Sequence, residues 1–257
     1  MLNSPGYNLT GASLIIDPPH GLRGIFFGKQ TMPVILAIDT STHACSCALN
    51  SHGEIDELFE LIPRQHAAKL LPMISALLES HGAGFKDLDA VAYGQGPGSF
   101  TGLRIAAGVA QGIALGAELP VVPVSSLASL ALQMRTEVAE GLVFSTLDAR
   151  IDEVYWGFYR LANNTVELLG QEGLCKPESL PVSFPDKLLP VTAAGSGLDY
   201  LERMPALYRG AISRHRPDLH PRAGIMAELA VNLLEQDKVQ LPEEVTPVYL
   251  RDKVTHA

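Results

Sequence analysis

Cysteine, tryptophan and positive charge are all in short supply in this sequence. Its 257 residues hold three cysteines and one tryptophan, and 28 acidic side chains outnumber 19 lysines and arginines for a formal net charge of −9. Each scarcity excludes something. Cys45 and Cys47 stand two apart on one face of an expected strand, too poorly placed to bond to each other. With Cys175 they make no disulfide framework and point to a reducing compartment, so the expected location is the cytoplasm. No C-x-x-C or Cys/His spacing argues for zinc. An acidic chain lacks the electrostatic footprint of a protein that grips nucleic acid by itself, so a role on RNA requires a basic partner. No apolar run of about 18 residues stands out, and no membrane span is expected. No Ser/His/Asp order, H-E-x-x-H or Walker A string is readable, which leaves no catalytic and no metal residue to nominate.

What is present suits a folded protein. Hydrophobic residues are 47% and charged residues 18%, enough for one large domain or two lobes with a sizeable core. Residues 1–31 differ from the rest. They carry Gly, Pro and Asn punctuation and one short apolar run at 14–16, without the basic start and unbroken apolar segment of a signal peptide. They read as an upstream extension, with Met32 as the natural start; the plain alternative is a poorly ordered arm.

Strands are expected at 34–39, 44–49 and 54–61, joined by short turns as a meander. A helix follows at 66–80, with Leu70, Leu71, Ile74, Leu77 and Leu78 at helical spacing and Pro72 expected to kink or interrupt it. Next come a strand at 88–93, a long Gly/Ala/Leu helix at 99–119, a strand at 121–124 and a helix at 125–135. Three meandering strands followed by alternating helix and strand is the ribonuclease-H-like plan of actin-like ATPases, whereas a Rossmann domain begins βαβ. The second half restarts with strands at 142–147, 153–159 and 165–169. After Pro-rich text at 177–190 come a strand at 191–194, a glycine turn at 195–197 and a helix at 225–235. The expected fold is therefore α/β: an actin-like lobe over 32–136 and a shortened one over 137–257.

Two loops have phosphate-binding character. Asp39–Thr40–Ser41, ending the first strand, offers hydroxyls, backbone N–H groups and a carboxylate. Its plain alternative is a turn capped by its own Asp and Ser. The second, around Gly96, Gly98, Ser99 and Thr101, leads into the long helix, where glycine permits close approach and a helix N-terminus attracts anions. Its plain alternative is a tight turn with an N-cap. Along that helix Gly108, Gly112 and Gly116 recur every four residues, with Ala106, Ala110 and Ala114 nearby. This strip marks a partner interface, shared with Leu70, Ile74 and Leu77 of the neighbouring helix, or else close packing on the chain's own sheet. His66 and Ser125–Ser126 read as surface or capping groups, the 148–153 stretch as a solvated turn, and Trp156 as core.

The strings ILAIDTSTHACSCAL at 35–49, GPGSFTGLR at 96–104 and PVYLR at 247–251 resemble the TsaB (YeaZ) family of the actin/sugar-kinase-like superfamily, across about 32–251. The resemblance implies a role in making threonylcarbamoyladenosine (t6A), at the adenosine beside the anticodon of tRNAs reading codons that begin with A. It implies that a paralogous, metal-binding subunit, TsaD, catalyses the transfer, and that the small ATPase TsaE joins the pair. The His-x-x-x-His pair of TsaD would fall near Ser126 and Leu130, which cannot stand in for two imidazoles. The implied role is thus a non-catalytic partner subunit. It would have no tightly bound cofactor, ATP or ADP only at the complex interface, tRNA met only through the complex, and a homodimer when alone. The alternatives are an ATP-dependent kinase or transferase of the superfamily, and a peptidase, after the wider family's glycoprotease label.

Overall fold

A computed structural model of the chain describes residues 32–185 and 191–251, so the reading of residues 1–31 lies outside the described residues. The first half forms β1 (Ile35–Asp39), β2 (Ala44–Ser51), β3 (Glu54–Leu61), α1 (His66–Ser80), β4 (Ala90–Gly96), α2 (Phe100–Ala117), β5 (Val121–Ser125) and α3 (Ser126–Gln133). Its sheet runs β3-β2-β1-β4-β5. β1, β2 and β3 pair antiparallel, and β4 and β5 run parallel to β1.

Strand periodicity explains why β1 is buried throughout. Leu36 and Ile38 point to one face, where α1 and α2 cover them; Ile35 and Ala37 point to the other. Leu70, Ile74 and Leu77 lie on the inner side of α1, fully buried against this sheet. They are core residues, which corrects their expected place on a partner surface. The apolar stripe of an amphipathic helix goes first to its own sheet. α1 also runs unbroken through Pro72, whose ring stands on the exposed side. α2 is the described helix long and apolar enough to cross a membrane, against expectation. Its inner face, with Leu103, Ala106 and Ala110, is packed into the lobe.

The second half forms β6 (Gly141–Arg150), β7 (Glu153–Ala162), β8 (Thr165–Leu168), β9 (Gly173–Cys175), β10 (Val191–Ala194), α4 (Ala206–Ala211), β11 (Ile212–Arg216) and α5 (Ala223–Glu235). Its sheet runs β11-β10-β6-β7-β8, with β9 paired to β7. Read from the β8 edge, this is the spatial order of the first sheet repeated. The shortening lies in the helices. β9 and a Pro177–Ser179 turn stand where the first lobe has α1, and a 3-10 stretch at Ser196–Arg203 with the short α4 replaces α2.

α3 and α5 form a middle layer. α5, from the second half, covers the first sheet, while α3, from the first half, packs chiefly on β6, β7 and β8. One apolar cluster consequently runs through both lobes, from Ala37 and Ala48 through Leu127, Leu130 and Met226 to Leu147. The Arg222–Glu57 ion pair of 2.7 Å and the bond from Ala223 N–H to Ser46 Oγ (3.0 Å) fasten the start of α5 to β3 and β2.

Candidate functional site: two loops and an interlobe cleft

The two phosphate-type loops meet. At the end of β1, the Ser41 N–H and hydroxyl both donate to Asp39 Oδ1, at 3.1 and 2.9 Å. Thr40 Oγ1 donates to the Gly102 carbonyl (2.7 Å), and Ser99 N–H donates to the Ser41 carbonyl (2.7 Å). A Cβ on Gly98 would collide with the Ser41 carbonyl oxygen, and one on Gly102 with that of Thr40. These glycines therefore serve a backbone-to-backbone contact between the loops. Ser99 caps α2, accepting from Gly102 N–H at 3.4 Å. Gly96 has a φ of +115°, which favours glycine, and packs against the Val248 carbonyl. Thr101 stands outside this knot, exposed on the first turn of α2.

Asp39 is wholly buried, and its Oδ2 has no hydrogen-bond partner among the described residues. Burial pushes its pKa up to about 6, and the two bonds from Ser41 hold it from rising further.

Between the lobes lies a cleft of about 880 Å³. One wall carries Ser41 to His43 with Phe100, Leu103 and Arg104, the other Leu147 to Ile151 and Tyr155. The segment 246–251 straps its mouth. Val248 N–H donates to Gln95 O (2.8 Å), and Tyr93 OH donates to Thr246 O (3.1 Å). Arg251 reaches the second lobe through Ala149 O (3.0 Å) and an ion pair with Glu153 (2.7 Å). The Tyr249 ring lies 5.4 Å from Phe100, and the Arg104 guanidinium sits 3.5 Å above Phe100. Deeper, Thr42 Oγ1 and His220 Nδ1 are 3.4 Å apart. Burial, then neighbouring His43, lowers the His220 pKa. Ser126 and Leu130 are both buried, Leu130 within the apolar cluster that joins the lobes.

A further polar cluster has no signal in the sequence. The Ser125 and Tyr159 hydroxyls both donate to Glu172 Oε1, tying the end of β5 to β7. Ser125 Oγ also caps α3, accepting from Leu127 N–H (3.1 Å) and Ala128 N–H (3.2 Å). Burial raises the pKa of Glu172, and burial with the adjacent carboxylate raises that of Tyr159. Glu172 belongs to a loop, so neither periodicity nor motif spacing singles it out.

This geometry can be set beside known proteins. A family model described as "TsaD: tRNA N6-adenosine threonylcarbamoyltransferase" matches residues 60–208, more than half of the chain. The tRNA threonylcarbamoyladenosine biosynthesis protein TsaB of Escherichia coli (strain K12) is 39% identical over 224 residues, covering 86% of this chain and 95% of that protein. The chain belongs to the TsaB family. The TsaB of Haemophilus influenzae is 49% identical over 123 residues, 48% of this chain and 52% of its own length. Two solved structures from Pseudomonas aeruginosa agree with the TsaB assignment. YeaZ matches with a TM-score of 0.79 at 41% identity, covering 85% of this chain and all of its own. The other, described as an uncharacterized protein with similarity to peptidase YEAZ, matches at 0.80 and 41% identity over 86% of this chain.

One surface of this TsaB-family chain stands out. Gly108, Gly112 and Gly116 face solvent, and a Cβ built on any of them meets nothing within 4 Å. Leu115 beside them is 66% exposed, and Leu71 on the outer side of α1 is 49% exposed. The glycine strip thus does not serve packing on the chain's own sheet.

Proposed function

We propose that this chain is the non-catalytic partner subunit of a tRNA threonylcarbamoyladenosine system. In this reading it forms a heterodimer with a TsaD-type transferase, a TsaE-type ATPase joins the pair, and tRNA is met through that assembly in the cytoplasm. Transfer of the threonylcarbamoyl group to the adenosine beside the anticodon is assigned to the partner. Beyond family membership, the observation that carries the reading is the closed knot of the two loops. The Thr40 hydroxyl donates to Gly102 O, Ser99 N–H to Ser41 O, and the Ser41 N–H and hydroxyl to Asp39, so the donors that phosphate oxygens would need are already engaged. ATP or ADP then has its place at the junction with the partner rather than tightly on this subunit.

The docking surface we assign is the outer side of α2, with Gly108, Gly112 and Gly116, beside the outer side of α1. Leu70, Ile74 and Leu77 act beneath it by holding α1 in place. When the partner is absent, the same helices serve a homodimer. Co-purification with the TsaD-type protein tests the reading, together with the t6A content of tRNA after deletion of this chain. Stable association and loss of t6A are expected. No complex, with t6A intact, would end the proposal.

The ATP-dependent alternative has its own measurement. Calorimetry of the isolated chain with Mg-ATP should give no binding heat. Micromolar binding, abolished by Asp39→Asn, would replace the scaffold reading with it.

A further inference from the structure

We propose that the mouth of the interlobe cleft holds one nucleotide of the tRNA, the base stacked on Tyr249 and the phosphodiester paired with Arg104; this rests on the tRNA-modification reading above. Three arginines line the cleft, and two are already engaged. Arg150 pairs with Asp148 at 3.3 Å and Arg251 with Glu153 at 2.7 Å. Arg104 has no carboxylate or carbonyl partner among the described residues. It is nonetheless held in place, because its guanidinium lies over Phe100 and 5.5 Å from the Tyr249 ring centroid. Its N–H fork is therefore presented to an anion with little further ordering.

The surroundings point to the kind of anion. Phe100 is 50%, Tyr249 41% and Ile151 70% exposed, and all three rim the same cleft. An aromatic face beside a stacked arginine is how single-stranded RNA is held, by base stacking and backbone pairing together. The volume accommodates a nucleoside, since small-molecule pockets span about 300–1,000 Å³. The deep end offers little to phosphates, because the Thr40 hydroxyl is bonded to Gly102 O, Ser99 N–H to Ser41 O, and the Ser41 N–H and hydroxyl to Asp39. Charge is thus taken at the mouth, with the aromatic part inserted. A phosphodiester brings a single negative charge, which suits one free guanidinium; the polyphosphate of a free nucleotide brings several. With Arg150 paired to Asp148 and Arg251 to Glu153, Arg104 is the lining arginine that remains to meet a phosphate, and on a chain of net charge −9 the long-range steering of a polyanion falls to the partner.

The test uses the assembly of this chain with its TsaD-type partner, titrated with an unmodified tRNA transcript at several salt concentrations. Arg104→Ala and Tyr249→Ala should each weaken tRNA binding about tenfold, the scale of one lost stacking or phosphate contact. Arg104→Ala should also lower the salt slope by about one. Both assemblies should elute from gel filtration as the wild type does. Unchanged affinity in both variants overturns the inference. So does a loss of affinity that follows loss of assembly, which would make the cleft a protein-docking site. So does Arg104-dependent binding of free AMP by the isolated chain. Failure of the underlying reading looks different: the wild-type chains then neither assemble nor support t6A formation.

Discussion

Asp39 ends β1 with one carboxylate oxygen bonded to Ser41 and the other unpartnered in the interior. Its pKa is about 6 in the folded chain against 3.8 ordinarily. Between those values the folded state holds more protons than the unfolded one. Stability contributed by this group is therefore full below pH 3.8 and lost as pH rises through about 6. Two pKa units correspond to about 3 kcal/mol. Asp39→Asn keeps the shape and removes the buried charge, so it should raise the thermal midpoint at neutral pH and leave it little changed at pH 4. A midpoint at neutral pH equal to or below that of the wild type would argue against this account. The glycines give a second prediction at the same scale. Gly98→Ala and Gly102→Ala drive a methyl into backbone oxygens of the facing loop. Each should cost at least the 1–3 kcal/mol typical of overpacking, read as a lower urea midpoint at unchanged slope. The loop GPGSFTGLR was visible in the sequence as a glycine loop entering a helix, with an N-cap as the plain alternative to phosphate binding. That Gly98 and Gly102 answer to Ser41 and Thr40, some sixty residues earlier, was not visible, because a close approach between loops leaves no local spacing.

At the scale of an element, α2 carries the sharpest contrast. The sequence suggests one strip of small residues, but Ala106, Ala110 and Ala114 lie on the buried side, while a Cβ on Gly108 or Gly112 on the outer side meets nothing within 4 Å among the described residues. A helix interior glycine costs about 0.5–1 kcal/mol relative to alanine. Gly108→Ala or Gly112→Ala should therefore stabilise the isolated subunit by about that amount in thermal unfolding. Gly112→Leu should leave the isolated subunit folded yet weaken capture of the TsaD-type partner at least tenfold in a pull-down titration. Partner capture unaffected by Gly112→Leu would move the interface elsewhere. The two strands missed in the sequence share one cause. β11 reads ISRHR and is partly exposed at a sheet edge, and β9 has three residues, so neither shows alternation. Their pairing with β10 and β7 makes them strands. α1 was legible as a helix, but periodicity alone does not say whether Leu70, Ile74 and Leu77 meet a partner or the helix's own sheet.

Across the whole molecule the exchange of α3 and α5 decides how the lobes behave. The β-β-β-α-β-α-β-α order of the first lobe was readable from strand and helix periods. The covering of each sheet by a helix from the other half was not, since a buried helical face looks the same whichever sheet receives it. The result is an apolar cluster that belongs to both lobes, with Leu130 inside it. Leu130→Ala should open a cavity there and cost about 2–5 kcal/mol. A shared core also makes the lobes cooperative, so they should unfold in one transition. Trp156, the single tryptophan, lies on β7 and reports the second lobe. Far-ultraviolet circular dichroism reports both. The two probes should give one coincident urea curve in the wild type, shifted together to lower urea in Leu130→Ala. If Trp156 fluorescence and dichroism separate, the lobes unfold independently and the middle layer does not couple them. If they coincide and shift together, the middle layer of α3 and α5 couples the two lobes into one folding unit, so a substitution in that layer is felt on both sides of the cleft.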